Sequence, residues 1–385
     1  MCIAGKYFLS GSLDTRIFSY PLDKFDKYSS SPLIFTMPHE IISFSRSDRI
    51  FTYINGSELE LYSLSNPLKG DQGFIDGDSV TADYTPIISI KAPNGQGIAC
   101  SAIDQTLKYI SFSTLSEIKL FRMNINKTGK VIHINPYLIP NALNKKSATK
   151  MMFVSQEEIT IFIFIENDLK IHFVNINKKK QKICNLLDFI PPNQNIPVHK
   201  TLSNSIHSIT ASGDGKWFAC SDVCGNIFIF DLTTSSFHHR IANVENKALN
   251  LISFNHNLKN HPNSTSLHIL YSPFELVIYD VQNKLPVDWK KERKYSNHFS
   301  KLKKVITAVS FNPSFPYRIY FYNDNYITFV DYDFDSPSLL YQFKSGLSGI
   351  IKLEFCDEDE LVMIKRTWQD IQKTLPIGFV RKRYK

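Results

Sequence analysis

The sequence predicts an all-β fold: a seven-bladed β-propeller followed by a short C-terminal helix and a basic tail. Three observations predict it. Short runs of alternating apolar residues recur along the 385 residues, the period-two signature of strands. Seven of these runs carry an aromatic or β-branched anchor (Tyr20, Tyr62, Phe121, Phe173, Phe230, Tyr279 and Val330) at spacings of 42 to 59 residues. That spacing suits one four-stranded blade plus variable loops. No helical periodicity of comparable strength occurs before Trp368.

The anchors stand at the slot where WD-type repeats carry Trp-Asp, and the surrounding elements resemble such repeats. Ser10-Gly-Ser-Leu-Asp14-Thr-Arg-Ile17 reads as a second strand and its turn. The Gly/Asp-rich stretch between Ser65 and Tyr84 reads as a blade loop. The clearest unit, Ile206 to Asp231, reads as three strands. Its Asp214-Gly215 pair has tight-hairpin chemistry, because glycine accepts positive φ and aspartate bonds its own backbone. Gly225 makes the second turn, and Trp217–Cys220 and Ile227–Phe230 become neighbouring strands buried on both faces. The Asn/His/Pro/Ser stretch between Asn255 and Ser266 is another loop, and Ile306 to Pro313 resembles an innermost strand running into its turn. Asp14, Asp222, Asp231, Asp280 and Asp331 fall at structural blade positions, where a carboxylate caps a turn rather than performing chemistry.

The chain ends are expected to share one blade. Met1 to Leu9 begins where a second strand should be, and Gly349 to Phe355 is a spare inner strand. Pairing Ile350–Phe355 with the strands near Phe8 and Ile17 would remove two exposed sheet edges.

Composition agrees with one ring. With 43% hydrophobic and 13% aromatic residues, the chain can bury a large core. The longest largely apolar run, Ile159 to Ile165, is far short of the roughly 18 residues of a membrane span. No signal-peptide-like leader is seen at the start. The six cysteines (Cys2, Cys100, Cys184, Cys220, Cys224 and Cys356) form no CxxC pair, which suits reduced thiols in a cytosolic or nuclear compartment. Cys220 and Cys224 sit in strand and turn without a second ligand pair, so neither zinc nor any other cofactor is expected. Eleven histidines are scattered, with His238-His239 the one adjacent pair, and no HExxH, GxSxG or phosphate-loop pattern occurs. Asp357 to Glu360 reads as a solvated turn. Catalysis is not expected, nor is a small-molecule substrate.

Net charge is +8, and the excess is clustered. Lys178, Lys179, Lys180 and Lys182 follow the Phe173 strand. Lys290, Lys291, Arg293 and Lys294, with Lys301, Lys303 and Lys304, flank one blade junction, while Arg381, Lys382, Arg383 and Lys385 close the chain. A phosphate backbone attracts such patches regardless of sequence, and loop lysines on one rim could form a stripe. A solvated loop is the other reading of any single cluster, and the terminal run also suits nuclear import or a disordered end. As RNA contacts, the clusters would act additively and without sequence preference.

Before that tail, Trp368, Ile371 and Leu375 are spaced to share one helical face. Thr367 is the expected N-cap, Asp370 favours the first turn, and Pro376 stops the helix. Two turns are not stable alone, so the Trp face must dock on the ring or on a partner. The propeller is thus expected over 1–365 and the helix with its tail over 366–385.

The stretch from Cys356 to Lys385 resembles the C-terminus of the cirhin family. There an acidic turn and a strand lead through a short helix and a Leu-Pro step (here Leu375-Pro376) into a basic tail (here Arg381-Lys-Arg-Tyr384). Leu9-Ser-Gly-Ser-Leu-Asp14-Thr15 is also similar to a blade start in the second propeller of that family, so the likeness spans essentially the whole chain. The resemblance implies a WD-repeat component of the UtpA subcomplex of the small-subunit processome. Such a component is a nucleolar scaffold that binds other WD-repeat and helical subunits and the 5′ external transcribed spacer of pre-ribosomal RNA, with small nucleolar RNA a further partner. Family members carry two propellers in tandem and this sequence has room for one, so the first is expected to be absent from it or encoded separately. A generic WD adaptor for another intracellular complex is the alternative, and it predicts no salt-sensitive RNA binding.

Overall fold

The structure is a computed structural model that describes residues 2–4, 7–11, 17–21, 31–33, 42–45, 49–64, 84–125, 131–137, 145–156, 159–166, 170–176, 206–222, 224–243, 247–255, 265–272, 275–287, 306, 308–312, 315, 318–323, 326–331, 339–344, 349–355 and 361–366. Pro93–Gly95 forms a 3-10 turn. The other named elements among the described residues are strands.

An N-terminal sheet joins β1 (Cys2–Ala4), β2 (Tyr7–Gly11), β3 (Ile17–Pro21) and β4 (Ser31–Leu33). Blade 1 follows with β5 (Ile42–Ser45), β6 (Ile50–Asn55), β7 (Glu58–Leu64) and β8 (Tyr84–Lys91). Blade 2 has β9 (Ile98–Ile103), β10 (Tyr109–Thr114), β11 (Ile118–Ile125) and β12 (Val131–Tyr137). Blade 3 shows three strands among the described residues, β13 (Lys150–Ser155), β14 (Thr160–Ile165) and β15 (Ile171–Ile176). Blade 4 has β16 (Ile206–Ala211), β17 (Trp217–Asp222), β18 (Ile227–Asp231) and β19 (Ser236–Ile241). Blade 5 has β20 (Leu249–Phe254), β21 (Ser266–Tyr271), β22 (Glu275–Asp280) and β23 (Leu285–Val287). Blade 6 has β24 (Ala308–Phe311), β25 (Arg318–Tyr322), β26 (Tyr326–Asp331) and β27 (Leu339–Lys344). Blade 7 shows β28 (Gly349–Phe355) and β29 (Leu361–Arg366).

Within every sheet neighbouring strands are antiparallel and consecutive in sequence. All seven anchors lie on the third strand of their sheets: β3, β7, β11, β15, β18, β22 and β26. The second strands β10, β14 and β21 are buried at every position. The outer strands β19 and β23 have no buried position. Burial therefore falls from the second strand outward, as expected of a sheet packed between two others.

Seven apolar clusters join the blades in a closed circuit. Leu59 and Leu61 of blade 1 meet Ile110 and Phe112 of blade 2, and Cys100 and Leu120 meet Phe162 and Phe164 of blade 3. Ile163 and Phe173 meet Phe218 and Phe230 of blade 4, and Ile227 and Ile229 meet Phe254 and Ile269 of blade 5. Leu270 and Ile278 meet Phe311 and Phe321 of blade 6, and Tyr320 and Tyr322 meet Leu353 and Phe355 of blade 7. Val362 and Ile364 then meet Ile42 and Phe44 of blade 1. Each fully buried side chain of this kind contributes about 1.5–3 kcal/mol, against about 1 kcal/mol net for a hydrogen bond. Packing between blades, more than pairing within them, closes the ring. The molecule is a seven-bladed β-propeller of WD type.

Ring closure differs from the sequence expectation. Ile350–Phe355 pairs with β29, while β2 pairs with β1 and β3. Residues 355 and 361 are separated by a short link, so their hairpin carries little loop-closure entropy, whereas pairing with β2 would close a loop of most of the chain. Alternation in β29 supplies the rest: Leu361 and Met363 pack toward blade 6, Val362 and Ile364 toward blade 1. Blade 7 is thus buried on both faces without the N-terminal strands, and the Tyr20 sheet is not needed to close the ring.

Candidate functional site

Strand alternation gives the ring two unlike rims. In each blade the hairpin between the second and third strands, and the connector to the next blade, fall on one rim, called here the connector rim. The other two hairpins fall on the opposite, hairpin rim. Contacts between blades follow this division. On the connector rim Ser116 Oγ donates to Gln96 Oε1 at 2.7 Å, and Asn243 Nδ2 donates to the carbonyl of Cys224 at 2.8 Å. On the hairpin rim Gln156 Nε2 donates to the Gly215 carbonyl at 2.9 Å, and Gln105 Nε2 to the Phe44 carbonyl at 3.0 Å.

The blade aspartates act as turn caps. Asp222 accepts from the Asn226 backbone N–H at 2.8 Å and from Asn226 Nδ2 at 2.7 Å. Burial still raises its carboxyl above the ordinary value, against the lowering by these bonds and by Arg240. Asp231 accepts from the Thr233 N–H at 2.8 Å and its hydroxyl at 2.6 Å, with Thr234 adding a third donor. Burial pushes Asp231 up, but those donors together outweigh it and hold it low. Asp280 caps Asn283 in the same way, at 3.1 and 2.7 Å. Asp331 ends β26, and Asp14 lies outside the described residues. At the predicted hairpin, Asp214 accepts from Ser212 Oγ and the Lys216 N–H, and Gly215 has φ of 73°.

Two buried polar groups escaped the sequence analysis. Asp104, fully buried on the hairpin rim, accepts from the hydroxyls of Thr106 and of Ser155 in blade 3, the latter at 2.6 Å. On the connector rim Glu166 lies 2.5 Å from Lys146 Nζ and 2.8 Å from Nε2 of the fully buried His172. Polar residues beside strand ends were the available signal. Ser155 stands on a different blade from Asp104, and Lys146 reaches Glu166 from the connector, so spacing could not pair these.

The other candidates read as structure. Cys220 is fully buried, and burial, with Asp222 nearby, pushes its thiol far up, so it is no ready thiolate. His239 Nε2 lies 3.0 Å from the Tyr279 hydroxyl. Burial, with His238 and Lys284 nearby, holds His239 down at about 4. Among the described residues no group of three or more His, Cys, Asp or Glu gathers as a metal site, and no helix is long and apolar enough to cross a membrane. The basic clusters at 178–182, 290–294, 301–304 and 381–385, the acidic run at 357–360, and Trp368, Ile371 and Leu375 all lie outside the described residues. What the described rims offer is surface charge and shape, the properties of a docking platform.

Comparison with curated proteins finds relatives along almost the whole chain. The human "U3 small nucleolar RNA-associated protein 4 homolog" is 24% identical over 98% of the chain. The chain is similar to U3 small nucleolar RNA-associated proteins. The mouse homolog is 23% identical over 98% of the chain, and the protein from Schizosaccharomyces pombe 19% identical over 86%. The chain spans 56% of the length of the mammalian relatives and 44% of the yeast one. No family model matches. Among solved structures, a chain of the mitotic checkpoint complex superposes with a TM-score of 0.54 at 9% identity, covering 86% of this chain and 85% of that one. At that identity the likeness concerns the fold alone.

Proposed function

We propose that this protein is a non-catalytic WD-repeat scaffold in ribosome biogenesis, acting in ribosomal RNA processing within the nucleolus. The observation that carries the reading is the match to U3 small nucleolar RNA-associated proteins over 98% of the chain. The propeller fold supports it, because such rings hold partners on their rims more often than they perform chemistry. Turn-capping roles for Asp222, Asp231 and Asp280 leave those carboxylates no reaction to serve.

In the finer form of the proposal the protein belongs to the UtpA subcomplex of the small-subunit processome, contacts its WD-repeat and helical subunits, and binds the 5′ external transcribed spacer. The basic clusters supply phosphate contacts, and the 366–385 segment adds a helix and a basic tail to the ring. Affinity purification of the tagged protein from growing cells tests this. Co-purification of processome subunits with nucleolar fluorescence is the expected outcome. A stable set of partners unrelated to ribosome assembly would overturn it in favour of a generic adaptor.

A further inference from the structure

The connector rim of blades 3 to 5 carries Lys145, Lys146, Lys150 and Lys170 around blade 3, with Arg240 and Lys247 on the blade 4 side. Its described acids there are already engaged. Glu166 is held by Lys146, Glu275 by Lys247 at 2.9 Å, and Asp222 by its own turn and Asn226. Among the described residues the hairpin rim of the same blades carries Asp214, Asp231 and Asp280 against Lys216 and Lys284, so it has no excess of positive charge. A six-residue strand spans about 20 Å, more than twice the ~8 Å Debye length at physiological salt. The acids of one rim therefore do not cancel the lysines of the other.

We propose that the connector rim around blades 3 to 5 is the surface that takes the phosphate backbone of single-stranded RNA, and that the hairpin rim does not. The proposal rests on the RNA-binding reading above and adds its location. Lysines project charge to a backbone without reading bases, so the contact is salt-sensitive and indifferent to sequence.

The test is fluorescence anisotropy of labelled oligouridylate with the full chain across a salt series. One triple variant reverses the connector rim (Lys145→Glu, Lys150→Glu, Lys170→Glu), and another reverses the hairpin rim (Lys108→Glu, Lys216→Glu, Lys284→Glu), each checked for an unchanged melting temperature. With a slope of about 0.7 per phosphate contact on a single strand, losing three contacts flattens the salt dependence by about 2 and weakens binding tenfold or more. The hairpin-rim variant should retain wild-type affinity. The opposite ranking would overturn the rim assignment while leaving RNA binding in place. No RNA binding by the wild type at low salt would overturn both. Equally tight binding of polyglutamate would overturn RNA as the partner chemistry. If a triple variant melts early, the single variant Lys145→Glu decides by a slope change of about 0.7.

Discussion

Acidification should destabilise this ring through the buried His268. His268 is fully buried on β21, its ring 5.1 Å from that of Phe311 across the junction of blades 5 and 6. Burial holds its pKa down at about 4, although the Ser253 backbone opposes the shift, whereas the unfolded chain titrates near 6.5. Between those values the unfolded state binds the proton and the folded state does not, so stability is complete above pH 6.5 and falls as the pH drops toward 4. At pH 5 the difference amounts to about 2 kcal/mol, an order-of-magnitude figure from about 1.36 kcal/mol per pKa unit. The assay is urea unfolding at pH 7.5 and pH 5, comparing the wild type with His268→Leu, an apolar replacement of similar size. Because every other titrating group is common to both chains, the variant should lose about 2 kcal/mol less than the wild type on acidification. Parallel pH dependences would refute a neutral, desolvated His268.

Further expectations follow from closure, turns and the tail. Leu353→Ala on β28 empties a fully buried position and should cost about 2–5 kcal/mol, as should Leu270→Ala at the equally buried position in blade 5. A much smaller loss in urea titration would mean that β28 does not help close the ring. Gly225→Ala places a Cβ 2.6 Å from Asn243 Nδ2 at φ of 82°. The left-handed backbone costs about 1–2 kcal/mol and the displaced Asn243 bonds about 1 more, so unchanged thermal stability would contradict the turn. Trp368→Ala is expected to lower the melting temperature while co-purifying partners persist, as a helix packed on its own ring requires. Normal melting with lost partners would instead identify a docking element, and no change in either would remove the helix from the account.

Blade periodicity was legible because one strand per sheet is anchored by a large apolar residue, and Tyr62, Phe121 and Phe230 all mark third strands. Turn chemistry was equally local, so Asp214-Gly215 and Gly225 could be placed from neighbouring residues alone. Closure was not legible. Leu361-Val-Met-Ile has the apolar pattern of a strand wherever it stands, and the choice between β2 and β29 as partner of β28 depends on chain-closure entropy and two-sided burial. The groups around Asp104 and Glu166 failed for the same reason: Asp104 and Ser155 meet across 51 residues and two blades. Net charge pointed to a polyanion, but the uneven placement of the described lysines between the two rims emerged only once strand directions were known.

The most direct test of the functional account is ultraviolet crosslinking of the tagged protein in growing cells, followed by sequencing of the RNA covalently attached to it. The account predicts reads concentrated in the 5′ external transcribed spacer of pre-ribosomal RNA, reduced in the connector-rim variant and retained in the hairpin-rim variant. Recovery of no RNA above an untagged control, or of reads unrelated to pre-ribosomal RNA, would contradict it.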